Sequence, residues 1–326
     1  MSDSFQPTAT WKVLKRRAEL LQCVREFFVD LDFLEVETPL LSADTVVDRH
    51  LDPVPVTLAM DSARPNSGRR MWLQTSPEFC MKRMLAVHQR PIFQVCKAFR
   101  LGESGPLHNP EFTMVEWYRP GDDDVAGREL LSALCQRVLG CAPAEEVSYR
   151  DAFLRFFSVD PHEAHIEQLA GIARDIPALR DFVAADRDAW LDALFVERIQ
   201  PRLGEDRPSI LYDYPASQAA LARTNTCANG REVALRFELF VNGIELANGY
   251  DELLDANVLR ERMRMTNAQR VADGKPKLPD DNKLLSALES GLPSCSGCAL
   301  GFDRLVMVAT GAKRIEEVIP FPLPRA

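Results

Sequence analysis

The sequence predicts an α+β fold, an antiparallel sheet flanked by helices. Two pairs of β-rich runs, 91–100 with 112–119 and 233–241 with 244–250, read as antiparallel hairpins. Helical patterns sit outside these hairpins and do not alternate with single strands, so βαβ units are not indicated. No internal repeat or low-complexity linker divides the 326 residues. One large domain, 11–326, behind a short tail, 1–10, is therefore the expected organisation.

Residues 11–33 place Val13, Leu14, Leu21, Val24, Phe28 and Leu31 at near-helical spacing with charges between them, the pattern of an amphipathic helix. It should end before LEVETP, where β-formers run into Pro39. Between about 42 and 70 the chain is rich in Pro, Asp, Ser and Gly and reads as extended segments and loops. MWLQT then reads as a strand, SPE as a turn and FCMKRMLAVH as a helix, ahead of the first hairpin with its loop of about ten residues. From 121 to about 208 the pattern is helical, with Asp122, Asp123 and Asp124 as a solvated helix start. SILYDYP, VALRFELFV and GIELANGY follow as strands, 253–274 as a polar helix, and CALGF as a strand feeding a last helix, DRLVMVATG.

Hydrophobic residues at 46% and charged residues at 27% describe a globular chain with a sizeable core. The N-terminus lacks a basic and apolar leader, and no run approaches ~18 apolar residues, so a cytosolic protein without membrane contact is expected. The net charge of −9 argues against general nucleic-acid binding, although a local basic cleft stays open. Eight scattered cysteines do not form a secreted disulfide framework. Cys295 and Cys298 have zinc or redox spacing, but no second ligand cluster accompanies them. Neither a P-loop nor a G-x-G-x-x-G turn is present, so any ATP must be held another way.

Three segments concentrate chemistry. In ELFVNGIELANGYDE, Asn242-Gly243 is a preferred two-residue turn, which should set Val241 against Ile244, Phe240 against Glu245 and Glu238 against Ala247. Glu238 and Glu245 then share a face roughly 7–8 Å apart, as magnesium ligands or as solvated edge acids. The loop RLGESGPLHNPEF collects Arg, Glu, His and Asn between two apolar strands, the way a scaffold presents a binding loop. In GCALGFDRLVM, small residues admit a ligand to the backbone and Asp303 can cap the next helix. Arg304 in its first turn opposes the dipole unless it meets an anion.

Together these segments resemble the three signature motifs of class II aminoacyl-tRNA synthetases, with the closest likeness to the lysyl-tRNA synthetase core. LEVETP stands as the first motif, FRLGES to HNPEFTMVEWY as the second and GCALGFDR as the third; TSPEFCMKR and GIELANGYDEL also match the lysine enzyme. The likeness runs from about Trp11 to the C-terminus. A lysyl-tRNA synthetase carries an N-terminal OB-fold that reads the anticodon, and ten residues cannot build one. The chain therefore looks like the stand-alone paralogue family that attaches (R)-β-lysine to a lysine of translation elongation factor P.

That resemblance implies a class II antiparallel sheet, a homodimer built around the first motif, ATP and Mg²⁺ as cofactors, and an aminoacyl-adenylate. It implies elongation factor P as acceptor, (R)-β-lysine or lysine as substrate, and tRNA as a disfavoured partner. Arg100 would hold the α-phosphate and the substrate carboxylate; Glu238 and Glu245 would hold magnesium. Arg304 would reach the γ-phosphate and cover one face of adenine, with Phe112 on the other. Leu101, Gly102, Glu103, His108 and Asn109 belong to the same ATP loop, and Leu246 and Gly301 to the backbone wall. Glu252 and Tyr118 match the groups around the lysine ε-ammonium, Asn248 the carboxylate ligand, and Ser76, Pro77 and Glu78 the segment that receives the amino group. Two positions depart from the synthetase pattern: Gly102 stands where it has glutamate, with Glu103 following, and Ala299 where it has glycine. The added methyl of Ala299 could favour an amino group moved to the β-carbon.

Overall fold

The computed structural model describes residues 5–227 and 230–326. The chain folds as two compact units, one from residues 1–121 with 253–326 and one from residues 122–252.

The first unit opens with α1 (Trp11–Asp30), where the Thr10 hydroxyl caps the start by accepting from the Val13 amide. Asp32, in left-handed backbone, turns the chain out of the helix. There follow β1 (Leu34–Glu35), β2 (Leu41–Ser42), β3 (Pro55–Ala59), β4 (Gly68–Leu73), α2 (Glu78–His88), β5 (Ile92–Phe99) and β6 (Glu111–Pro120). The second unit holds α3 (Asp124–Leu139), β7 (Glu145–Ser148), α4 (Tyr149–Phe157), α5 (Ile166–Arg174), α6 (Arg187–Leu194), β8 (Ser209–Pro215), β9 (Thr224–Thr226), β10 (Glu232–Val241) and β11 (Ile244–Asp251). The chain then returns to the first unit with α7 (Ala256–Ala272), α8 (Lys283–Gly291), β12 (Cys295–Gly301) and α9 (Phe302–Thr310).

In the first unit β1, β5, β6 and β12 lie side by side, with β5, β6 and β12 antiparallel. A separate three-stranded antiparallel sheet runs β2, β4, β3. One face of β5 and β6 carries Phe93 and Trp117 against Phe28 of α1, with Phe28 stacked on Phe93 at 4.7 Å and 5.1 Å from Trp117. All three are fully buried, and each contributes about 1.5–3 kcal/mol of transfer free energy. The opposite face carries the buried polar side chains Gln94, Glu116 and Tyr118. In the second unit β11, β10, β8 and β7 are neighbours, and β9 pairs with β10. Tyr149, Phe153, Trp190 and Phe195 of its helical stretch pack with Leu211 and Phe240 into one core.

The α+β class is as the sequence predicts. Two edges differ: β1 pairs with β5 and β7 with β8 in parallel, and β7 interrupts the stretch read as helical. Cys295 and Cys298 are three residues apart in β12, so alternation sends them to opposite faces and the zinc or redox spacing is incidental. Among the described residues no helix is long and apolar enough to cross a membrane.

Candidate active site

The second-motif loop joins β5 to β6, and successive backbone amides anchor its beginning. Phe99 donates to Gln74 O at 2.9 Å, Arg100 to Pro110 O at 2.9 Å and Leu101 to Asp52 O at 2.7 Å. Gly102 adopts φ +80°, a conformation suited to glycine, and carries the chain into the turn closed by Gly105 and His108. The Arg100 guanidinium lies over the Phe112 ring at 4.9 Å, so in this structure Phe112 stacks on arginine. Its Nη1 stands 3.6 Å from Glu103 Oε1, and its Nε is buried without a hydrogen-bond partner.

Arg304 reaches the same loop from the first turn of α9. Its Nη2 is 2.6 Å from His108 Nε2, and its Nε donates to Leu107 O at 3.3 Å. Glu103 Oε2 is 4.0 Å from the same imidazole. Arg100, Glu103, His108 and Arg304 thus form one connected row in which two permanent cations flank one carboxylate. Such a row has spare positive charge and is completed by an anion. Burial first, and the Arg304 charge next, hold His108 below the ordinary imidazole value of 6.5. The neutral ring can then accept the Arg304 hydrogen bond. Asn109 serves the frame: its amide donates to Glu111 O at 2.6 Å and accepts from Leu323 N at 3.0 Å.

The depressed imidazole has a signed consequence. The unfolded chain takes up a proton near pH 6.5 before folded His108 does, so its contribution to stability is complete above that pH and is lost as pH falls below it. Protonation also removes the acceptor for Arg304. Because folded His108 protonates only below the ordinary value, the KM for ATP should rise only in that more acid range, and His108→Gln, which keeps an acceptor oxygen but cannot titrate, should flatten that rise in steady-state assays. An unchanged profile in the variant would contradict it.

Asp303 does not cap α9 as the sequence suggests. The N-cap is Gly301, because β12 runs straight into the helix. Asp303, 2% exposed, instead accepts from the Thr113 amide at 2.7 Å and pairs with Arg17 at 2.5 Å, which locks the start of α9 to β6 and α1.

Tyr118, expected near the amino acid, lies on the face of β6 opposite the aromatic core, where it is buried with Glu116. Glu116 is abreast of Ala299 on one side and Gln94 on the other, while Tyr118 pairs with Gly297 and Ile92. The Tyr118 hydroxyl donates to Glu116 Oε1 at 2.7 Å. At the start of α2, Pro77 is the N-cap and Ser76 Oγ accepts from the Glu78 amide at 3.4 Å. Glu78 Oε1 meets Lys82 Nζ at 2.5 Å, and that ammonium is 5.8 Å from the Tyr118 ring centre. Sequence reasoning missed Glu116 and Lys82. Period-2 alternation put Glu116 on the face of Tyr118, and i,i+4 spacing put Lys82 beside Glu78, but both patterns also occur in ordinary frameworks.

In the second unit Asn242 and Gly243 take φ +51° and +73°, as a type I′ turn requires, and the first pairs are Val241 with Ile244 and Phe240 with Glu245. A bulge then leaves Leu246 unpaired, so Leu239 meets Ala247 and Glu238 meets Asn248, one residue beyond the expected partner. Glu238, Glu245 and Asn248 still share a face. Glu238 is 5% exposed; its Oε2 accepts from the Tyr214 hydroxyl at 2.6 Å and its Oε1 from Arg236. Arg236 in turn lies 4.6 Å over the Tyr214 ring and donates to Gln218 O at 3.0 Å. Asn248 Oδ1 is buried without a partner, and Glu252, 1% exposed, bridges to Ala222 beyond the end of β11.

The donor sets fit the expected groups. Arg100 and Arg304 offer forked donors to phosphate oxygens, and Arg100 Nε already lacks a protein acceptor. Glu238 and Glu245 are hard-oxygen donors of the kind magnesium takes, with the remaining ligands from phosphates and water; to join such a site Glu238 would have to share oxygens that now accept from Tyr214 and Arg236. Among the described residues no group of three or more His, Cys, Asp or Glu side chains forms a self-sufficient metal cage.

Residues 4–325 match the family described as tRNA synthetases class II (D, K and N). The chain is 44% identical over 324 residues to the elongation factor P–(R)-β-lysine ligase of Proteus mirabilis (strain HI4320), covering 99% of this chain and 98% of that one. It is 45% identical over 325 residues to the protein of the same name from Salmonella arizonae (strain ATCC BAA-731 / CDC346-86 / RSK2980), with the same coverage. With its motifs in place and the match running almost end to end, the chain belongs to the class II tRNA synthetase family of the aspartate, lysine and asparagine enzymes.

Proposed function

We propose that the protein is an ATP-dependent, AMP-forming ligase that activates (R)-β-lysine and transfers it to the ε-amino group of a lysine on translation elongation factor P. The observation that carries this reading is the identity of 44–45% over 99% of the chain to relatives of that name. Residues 11–326 act as one catalytic domain in the cytosol, and tRNA is not the acceptor.

In the first step a substrate carboxylate oxygen attacks the α-phosphorus of ATP and pyrophosphate leaves, a reaction that depends on alignment and charge stabilisation. Arg100 binds the α-phosphate and the carboxylate, Arg304 the γ-phosphate, with His108 holding its guanidinium and Asn109 the loop frame. Leu101, Gly102 and Glu103 line the nucleotide; Glu103, paired with Arg100, takes over the role of the glutamate missing at 102. Leu246 and Gly301 present backbone. Glu238 and Glu245 would hold Mg²⁺, which would neutralise phosphate charge when bound. For the amino acid, the family resemblance assigns Glu252 and Tyr118 to the ε-ammonium, and within the first unit Glu116 accepts from the Tyr118 hydroxyl. Asn248 binds the carboxylate, and Ser76, Pro77 and Glu78 receive the amino group. In the second step the acceptor amine attacks the adenylate carbonyl as a free base, forming an amide and releasing AMP.

The protein works as a homodimer through the first motif, where Leu34 of β1 exposes 65% of its surface and Val29 and Leu31, just before the motif, expose 61% and 41%. Sedimentation equilibrium should give twice the chain mass; a monomer would contradict the assignment.

Ala299 sits directly across from Glu116, and on this reading its added methyl would disfavour an α-amino group. Methyl-sized discrimination is worth about 1–3 kcal/mol. Ala299→Gly should therefore shift the ratio of α-lysine to β-lysine activation, read by ATP–pyrophosphate exchange, about tenfold or more toward α-lysine. An unchanged ratio would remove Ala299 from the specificity argument. The second reading, a truncated lysyl-tRNA synthetase, requires tRNA to be charged in the same conditions.

A further inference from the structure

The loop that presents Arg100 is fastened to a part of the chain far from the signature motifs. Leu101 is the second residue past β5, directly after Arg100, and is 53% exposed, so core packing does not place it. Its amide is held by Asp52 O at 2.7 Å. Asp52 is itself gripped by two cations from the end of α7: Arg270 Nη2 meets Oδ1 at 2.8 Å and Lys275 Nζ meets Oδ2 at 3.0 Å. Arg270 is 1% exposed, and its other donors reach Asp48 O at 2.7 Å, Leu51 O at 3.5 Å and Pro276 O at 3.2 Å. Lys275 also binds Arg49 O at 2.9 Å, and Arg49 forms a two-pronged pair with Asp273 at 2.8 and 3.1 Å.

A guanidinium taken fully out of water is costly unless its donors are used. Here they are used on two carbonyls of the loop 48–52, on Pro276 O, and on the carboxylate of the residue that anchors Leu101. The strap therefore fixes the backbone at Leu101, one residue after Arg100 and two past the end of β5. A displacement of about 1 Å at such a group costs on the order of 10²-fold in rate.

We propose that Asp52 and Arg270 are positioning residues for Arg100, setting the placement of its guanidinium for adenylate formation. This rests on the reading of Arg100 as the ligand of the α-phosphate.

The test is a double-mutant cycle with Asp52→Ala and Arg100→Lys, read as kcat/KM for ATP in pyrophosphate exchange. Asp52→Ala alone should cost about tenfold, and in the Arg100→Lys background less than about twofold, since a residue acting through another loses its effect when that partner is changed. Thermal melting accompanies each variant, and if Asp52→Ala is unfolded at the assay temperature, the isosteric Asp52→Asn carries the cycle. An equal loss in both backgrounds makes the strap a general strut and overturns the proposal, as does wild-type activity of the Asp52 variant. Wild-type activity of Arg100→Lys alone would instead overturn the reading of Arg100, and the proposal with it.

Discussion

Replacing Arg100 with alanine is expected to lower ATP–pyrophosphate exchange by about 10²–10³ while leaving the folded content unchanged. On the proposed assignment, attack on the α-phosphorus would gather negative charge at the Arg100 guanidinium, so the interaction would strengthen toward the transition state and its loss would appear mainly in kcat. The surroundings of Arg100 are consistent with that assignment. Arg100 lies flat over Phe112, its Nε is desolvated without an acceptor, and Glu103 balances one edge of the group. Alanine removes the donor and uncovers Phe112 without disturbing the backbone bond from Arg100 N to Pro110 O. Exchange within threefold of wild type, by a folded variant, would contradict the assignment.

Glu252→Gln should raise the KM for (R)-β-lysine by about 10²–10³, because removing one partner of a buried charge pair costs on the order of 2–5 kcal/mol. The carboxylate is 1% exposed at the end of β11, where water cannot replace it as a partner for an incoming ammonium. Glutamine preserves the volume and an acceptor oxygen but not the charge. Wild-type enzyme should strongly prefer β-lysine over an analogue lacking the ε-amine, and the variant should lose most of that preference. Isothermal titration with both amino acids reads it; unchanged discrimination would move the ammonium site elsewhere.

The strongly patterned parts of this chain were legible. Amphipathic spacing marked α1, and the Asn242-Gly243 turn fixed the hairpin register as far as Phe240 and Glu245. Beyond that pair a single unpaired residue, Leu246, shifts Glu238 onto Asn248, and no glycine or proline announces such a bulge. The parallel edges were hidden for another reason: β1 has two residues and β7 four, too short for a period to register. Asp303 looked like a cap because caps are local, whereas its partners, Arg17 and Thr113, are brought to it by the fold. The motif residues Arg100 and Arg304 were legible as cations beside loops, yet the row joining them through Glu103 and His108 depends on a loop conformation that sequence does not encode in any period.

The most direct test of the account is the identity of the acceptor. The protein is incubated with ATP, magnesium and (R)-β-lysine, together with elongation factor P and bulk tRNA, and both acceptors are followed by intact mass. The account predicts that elongation factor P gains one β-lysyl group on a lysine and that tRNA gains none; charged tRNA beside unmodified elongation factor P would contradict it.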